Sequence, residues 1–157
     1  MRIGQGIDVH RFSDDPAREL WLGLVLIPEA KGLEGHSDAD VATHALCDAL
    51  LGAANLGDLG RHFPDDDAVT TGVESRVLLE KTLRLVSGAG FRATSADLTI
   101  IAEQPRLAPH MATMSRELSA VVGATVSVKA TTAEGLGSLG RAEGIGASCV
   151  VLLEEMS

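Results

Sequence analysis

Asp8 and His10 stand two residues apart in Gly-Ile-Asp8-Val-His10-Arg-Phe, and a second stretch, His36-Ser37-Asp38-Ala39-Asp40-Val-Ala-Thr-His44, places another imidazole four residues after a carboxylate. In an extended segment residues i and i+2 share a face, so the Asp8 carboxylate and the His10 ring converge on one ion. His44 closes the set. Three protein ligands with an open fourth position describe a catalytic zinc site, because structural zinc sites are fully ligated and commonly use cysteine. Taken singly, His10 and His44 read as ordinary polar residues at a strand end and a helix surface. The metal reading rests on the combination, since three of the chain's 5 histidines fall in these two stretches.

Asp40 and His44 lie at i and i+4 on one helical face, so Asp40 either orients the imidazole or faces the substrate. His36 and Ser37 precede that helix, where free N–H groups and the helix dipole favour an anion such as phosphate; Ser37 equally suits an N-cap. Downstream, Lys129-Ala-Thr131-Thr132-Ala133-Glu134-Gly-Leu-Gly-Ser138-Leu-Gly-Arg141 follows a strand with hydroxyls, an acid and close glycines. The threonines are donors for phosphoryl oxygens, and Glu134 is a ligand for a hard ion such as Mg²⁺. The stretch lacks the Gly-Lys-Ser/Thr ending of a Walker loop, and a tight bend between core strands is its plainer reading. Asp58-Leu59-Gly60 and Phe63-Pro64-Asp65-Asp66-Asp67 read alone as solvated acidic loop.

These residues need a scaffold, and 157 residues with 45% hydrophobic content fit one compact domain. Only 3% are aromatic, so the core is expected to be aliphatic. A net charge of -9 with no basic run disfavours nucleic acid as a partner and leaves an anionic substrate dependent on bound cations. Cys47 and Cys149 are far apart and form no CxxC pair, so both are expected to be reduced. The opening Met1-Arg2-Ile3-Gly4 resembles no signal segment and no apolar run spans a bilayer, so no membrane association and a cytoplasmic location are expected.

Periodicity predicts strands over Met1–His10 and Leu20–Ile27, separated by a Ser13-Asp14-Asp15-Pro16 turn, then a helix from about Asp38 to Leu56 stopped by Gly57. A helix over Glu74–Val86 and a strand over Ala96–Ala102 follow. A third helix starts near Pro109, with Met111, Met114, Leu118, Val121 and Val122 as its apolar stripe, and ends at Gly123. Strands over Thr125–Lys129 and Ala147–Leu153 complete the chain. The order implies an α+β fold in which a mixed sheet is covered by helices on one face.

Asp8-Val-His10, the His36 to His44 segment, Asp58-Leu-Gly60, Phe63-Pro-Asp65 and Lys129-Ala-Thr-Thr132 through Glu143-Gly144, in that order, closely resemble the 2-C-methyl-D-erythritol 2,4-cyclodiphosphate synthase family. The match runs from Met1 nearly to the C-terminus. The resemblance implies conversion of 4-diphosphocytidyl-2-C-methyl-D-erythritol 2-phosphate to the cyclic diphosphate and CMP, in the non-mevalonate route to isoprenoid precursors. It further implies zinc on Asp8, His10 and His44, and magnesium or manganese on Glu134. His36 and Thr132 are the implied stabilisers of the transition state. Substrate contacts would run through Asp8, His10, His36, Ser37, Asp58, Leu59, Gly60 and the closing loop Phe63, Pro64, Asp65, Asp66 and Asp67. Ala102, Glu103, Gln104, Pro105, Arg106, Leu107 and Ala108 would hold the cytidine, with Thr131, Thr132, Ala133, Glu134, Ser138 and Arg141 completing the set. The family resemblance also implies a homotrimer about a threefold axis, active sites between subunits, and an axial cavity near Arg141 and Glu143 for an isoprenoid diphosphate.

Two positions depart from the family pattern. Ala133 replaces a third threonine, and Ser138 stands where a larger apolar residue is common. Two other functions use the same residues: a metal-dependent phosphohydrolase with zinc-bound water as nucleophile, and a trimeric sensor of isoprenoid diphosphates with a structural metal. His36, Thr132 and Glu134 argue against the sensor, because a structural zinc has no need of them.

Overall fold

Two glycines decide how closely the helical layer approaches the sheet. Strand β1 (Arg2–Arg11) alternates, with Ile3, Gln5, Ile7 and Val9 on its exposed face and Gly4, Gly6, Asp8 and His10 on the other. A Cβ on Gly4 would lie 2.1 Å from the Ala49 carbonyl oxygen, and one on Gly6 2.1 Å from that of Ala45. Helix α1 (Val41–Ala53) therefore rests directly on the β1 backbone, its small residues filling the gap that the glycines leave. That close approach brings α1 within reach of the two ligands at the C-terminal end of β1.

The computed structural model describes residues 1–63 and 74–156. Strands β4 (Phe91–Ile101), β5 (Thr125–Thr131) and β6 (Gly144–Glu155) join β1 in a sheet of order β1-β6-β4-β5. β6 runs antiparallel to both neighbours, whereas β4 and β5 are parallel. The parallel pair needs a crossover, which α4 (Met111–Val122) supplies by packing on β5. α1 covers β1 and β6, and α3 (Ser75–Gly88) packs against α1 and α4. The mixed sheet and the layer of helices match the α+β expectation.

The core is aliphatic, as the composition implied: Leu46, Leu50, Leu79, Leu98, Ile100 and Ile145 are fully buried. Cys47 and Cys149 are buried and free, and burial pushes the Cys149 thiol up to about 12 and raises that of Cys47 as well. The opposite face of the sheet is uncovered at β1, where Ile3 is 73% and Ile7 62% exposed. Among the described residues no helix is long and apolar enough to cross a membrane.

Several elements differ from their sequence-derived bounds. The strand over Leu20–Ile27 is a hairpin of β2 (Leu20–Leu22) and β3 (Val25–Ile27), because Gly23 and Leu24 both take positive φ, 57° and 65°. That pair makes a tight turn suited to right-twisted strands. α1 begins three residues later than expected: Ala39 at φ 56° breaks the helical path, and Asp40, not Ser37, is the N-cap. At its other end the reversal comes at Asn55, φ 59°, before Gly57 is reached. β4 and β6 are longer than their apolar runs suggested, with a bulge between Ala93 and Ser95. Two short helices, α2 (Leu59–His62) and α5 (Gly137–Gly140), fall in stretches read as loop.

Candidate active site

β1 and α1 together assemble the candidate metal ligands. One oxygen of Asp8 lies 3.1 Å from His10 Nε2 and 3.1 Å from His44 Nδ1. One donor atom from each of the three residues lies within 4.8 Å of the others, so the three side chains converge on one point where an ion could be held. The remote nitrogen of each ring has its own partner. His10 Nδ1 donates to the Glu34 carbonyl at 2.5 Å, and His44 Nε2 sits 3.2 Å from Ser75 Oγ and 3.3 Å from Ser37 Oγ. A proton on the outer nitrogen leaves the inner one with a lone pair, the form a metal requires.

The electrostatics point the same way. Burial alone would push the Asp8 carboxyl upward, but hydrogen bonds and charge from His10 and His44 overcome it and hold the group well below the usual carboxylate range. The hydrogen bond to Asp8 raises His10 above its ordinary value, against burial, with help from the Asp8 charge and the Glu34 carbonyl. The site thus favours positive charge at the point where the three side chains meet.

Asp40 has neither of the roles expected of it. It is fully buried, and its oxygens accept from Gly23 N, Leu24 N, Thr43 N and Thr43 Oγ1 at 2.6 to 3.0 Å. It caps α1 and ties the β2–β3 turn to it. The α1 N-terminus is consequently capped by the Asp40 carboxylate through Thr43 N. Asp38 works instead on α3, accepting from Ser75 N at 2.8 Å and from Ser75 Oγ.

A cavity of about 280 Å³ opens at the trio and is lined by Asp8, His10, His36, Ser37, His44, Leu59, Gly60 and Phe63. Most of the first half of the expected set is thereby brought together. Asp58 adjoins it as the N-cap of α2, accepting from Arg61 N at 2.9 Å. Pro64, Asp65, Asp66 and Asp67 lie outside the described residues. The cavity also has Gly35, Asp48 and Leu78 in its wall. Asp48, absent from the expected set, continues the Asp40, His44 spacing by one more turn; it accepts from Leu59 N at 2.7 Å, and burial raises its carboxyl. Ser75, the other missed contact, is 31 residues from His44 and gives no local signal.

The second half of the set lies elsewhere. β4 and β5 pair through Ile101 and Thr131, and Ala102 N donates to the Thr131 carbonyl at 3.0 Å. Glu103, expected to face cytidine, accepts from Ala133 N at 2.9 Å and Gly135 N at 3.4 Å, bracing one loop against the other. Thr132 Oγ1 donates to Glu134 at 2.6 Å, and Glu134 is not in the metal-ligand group. Arg141 pairs with Glu143 at 2.6 Å, while Gln104 and Pro105 border a larger hollow of about 950 Å³ with Arg11 and Glu143. The trio lines the smaller cavity, and the larger one holds none of it. Within one chain the halves are well separated: β5 is the third strand from β1, about 14 Å away at ~4.8 Å per strand. Thr131 also has the opposite alternation to buried Val126, so it faces away from the helices that cover the trio.

Residues 1–154 match the YgbB family model. The chain is 51% identical to the 2-C-methyl-D-erythritol 2,4-cyclodiphosphate synthase of Syntrophomonas wolfei, over 99% of each chain. It is 54% identical to that of Laribacter hongkongensis, over 98% of this chain and 96% of the relative. A solved CDP-bound synthase superposes with a TM-score of 0.88 at 38% identity, covering 98% of this chain and all of the other. The bifunctional IspDF of Campylobacter jejuni gives a TM-score of 0.93 at 36% identity, covering 99% of this chain but 42% of the larger protein. The chain belongs to the YgbB family of 2-C-methyl-D-erythritol 2,4-cyclodiphosphate synthases.

Proposed function

We propose that this synthase works at a composite site, with Asp8, His10 and His44 of one copy holding zinc and the Thr131–Glu134 loop of a second copy facing it. The carrying observation is the trio itself, with both rings fixed by outer hydrogen bonds so that a lone pair points inward. Support for the second copy comes from the separation of the two halves and from the uncovered apolar face of β1, a surface suited to burial against another subunit. A homotrimer about a threefold axis satisfies both. One catalytic domain then spans residues 1–157, in a cytoplasmic enzyme.

The reaction is an intramolecular phosphoryl transfer: the 2-phosphate of the substrate attacks the β-phosphorus of its own diphosphate, and the bond to CMP breaks. No protein nucleophile is needed, so catalysis consists of folding the substrate into line and stabilising charge. Bound zinc would act as a Lewis acid on the β-phosphate, and magnesium or manganese on Glu134 would neutralise charge between the phosphates. His36 and Ser37, in the cavity wall, and the second copy's Thr132 donate to phosphoryl oxygens. Asp58 and Gly60 take the erythritol hydroxyls, the Phe63 to Asp67 loop closes over them, and backbone groups of Ala102 to Ala108 hold the cytidine. Isoprenoid diphosphate would occupy the axial cavity beside Arg141 and Glu143.

Phosphorus NMR of the purified chain with substrate, zinc and magnesium tests this reading. Cyclic diphosphate with one equivalent of CMP is the predicted outcome. Linear products and inorganic phosphate would replace it with hydrolysis, and a metal-loaded oligomer without turnover would replace it with ligand sensing.

A further inference from the structure

The segment from Leu33 to Ser37 carries three parts of the centre: the Glu34 carbonyl that holds His10, Gly35 against the His10 ring, and His36 in the cavity wall. Loops do not hold such geometry unaided. Its start is tied to β1, with Glu34 N donating to the Arg11 carbonyl at 2.9 Å and a bridge joining Phe12 and Leu33. Beyond that point the side chain of Arg18, half-buried between β1 and β2, reaches across the segment. Its Nε donates to the Leu33 carbonyl at 2.5 Å, and one Nη donates to the Gly35 carbonyl at 2.8 Å and to the Ser37 carbonyl at 2.5 Å.

The pattern of carbonyls has a consequence for the metal. Leu33, Gly35 and Ser37 turn their oxygens to Arg18, while the intervening Glu34 gives its oxygen to His10 Nδ1. With the Leu33 and Gly35 carbonyls on either side of it held on the guanidinium, the Glu34 carbonyl between them is fixed toward the imidazole. A planar fork of N–H donors suits several fixed acceptors at once, which a single ammonium on a flexible stem does not. Gly35 keeps the two sides close, since a Cβ there would be 3.1 Å from His10 Cε1.

We infer that Arg18 is a positioning residue of the metal centre, holding Leu33–Ser37 so that Glu34 fixes the orientation of His10 and His36 stays in the cavity wall. The inference rests on the reading of Asp8, His10 and His44 as a zinc site, and deepens it. The test is a Zn²⁺ competition titration against a chromophoric chelator, on the full chain without substrate. Arg18→Ala should weaken Zn²⁺ binding about 10-fold, in the range for loss of a group that orients a metal ligand, and millimolar methylguanidinium should recover most of it. Arg18→Lys keeps the charge without the fork, so it should stay several-fold weaker than the parent; should Arg18→Ala not fold, Arg18→Lys decides alone. Parent-like affinity in Arg18→Lys, or an Arg18→Ala defect that methylguanidinium leaves unchanged, would overturn the assignment. Failure of the zinc reading itself appears separately, as a His44→Ala variant that binds Zn²⁺ like the parent.

Discussion

Ser75 Oγ stands 3.2 Å from His44 Nε2 and donates its own proton to Asp38, so a carboxylate, a hydroxyl and an imidazole form a chain ending at the metal-facing nitrogen. The hydroxyl accepts from His44 while it donates to Asp38, and this sets the ring's tautomer. Ser75→Ala leaves only the longer contact from Ser37, at 3.3 Å. Zinc affinity should fall about 10-fold in a chelator competition, with the fold retained.

The stability of the metal-free chain should have two pH limits. His10 is raised in the folded chain, so its contribution is fully present below its unfolded value near 6.5 and is lost as pH rises through the folded one. Asp8 is depressed, so its contribution is present above about 3.8 and is lost as pH falls toward its folded value. Zinc must displace the His10 proton, so its affinity should rise with pH across the same upper limit. Melting temperatures of the metal-free parent and Asp8→Asn between pH 3 and 9 check both limits: the difference should be largest in the plateau near pH 5 and shrink on either side.

Gly6→Ala should disturb site and fold together. The added methyl meets the Ala45 carbonyl at 2.1 Å and the Ala49 nitrogen at 2.6 Å, both backbone atoms of α1 that cannot yield as a flexible side chain would. Moving α1 off β1 carries His44 away from Asp8, so both stability, by about 1–3 kcal/mol for overpacking, and zinc binding should drop. Urea unfolding and metal analysis of one preparation measure the two effects.

Glu103 gives the opposite dissociation. Glu103→Ala removes the acceptor for Ala133 N and Gly135 N, freeing the loop that carries Thr132 and Glu134. kcat/KM should fall roughly 10-fold, the scale of one or two charge-assisted hydrogen bonds, while zinc content stays at the parental level. Steady-state CMP release and metal analysis separate the two.

Much of this site was legible because its residues are close in sequence. Asp8 and His10 share a face by strand alternation, and the apolar spacing after Val41 places His44 on a helix. The function of Asp40 is not legible in the sequence because its partners, the Gly23 and Leu24 amides, belong to a turn hidden inside an apolar run that reads as one strand. Local spacing puts Asp40 beside His44, whereas the turn amides and the cap hold it elsewhere. Ser75 and Arg18 act on the centre across 31 and 15 to 19 residues, through contacts that only the tertiary fold creates. Asp48, by contrast, carries a local signal, since it extends the same helical spacing by one turn.

In the proposed composite site one copy's trio meets another copy's Thr131–Glu134 loop, and mixing two disabled variants tests that pairing. His44→Ala loses the zinc half and Glu134→Gln the loop half, so each alone should be nearly inactive. If a trimer is unfolded and reassembled from equal amounts of both, a site is intact when an unaltered trio adjoins an unaltered loop, which random assembly gives in about a quarter of positions. Recovery of about a quarter of parental CMP release is the predicted result. A mixture no more active than its two components, despite exchange of subunits, would contradict the composite site and place both halves within one chain.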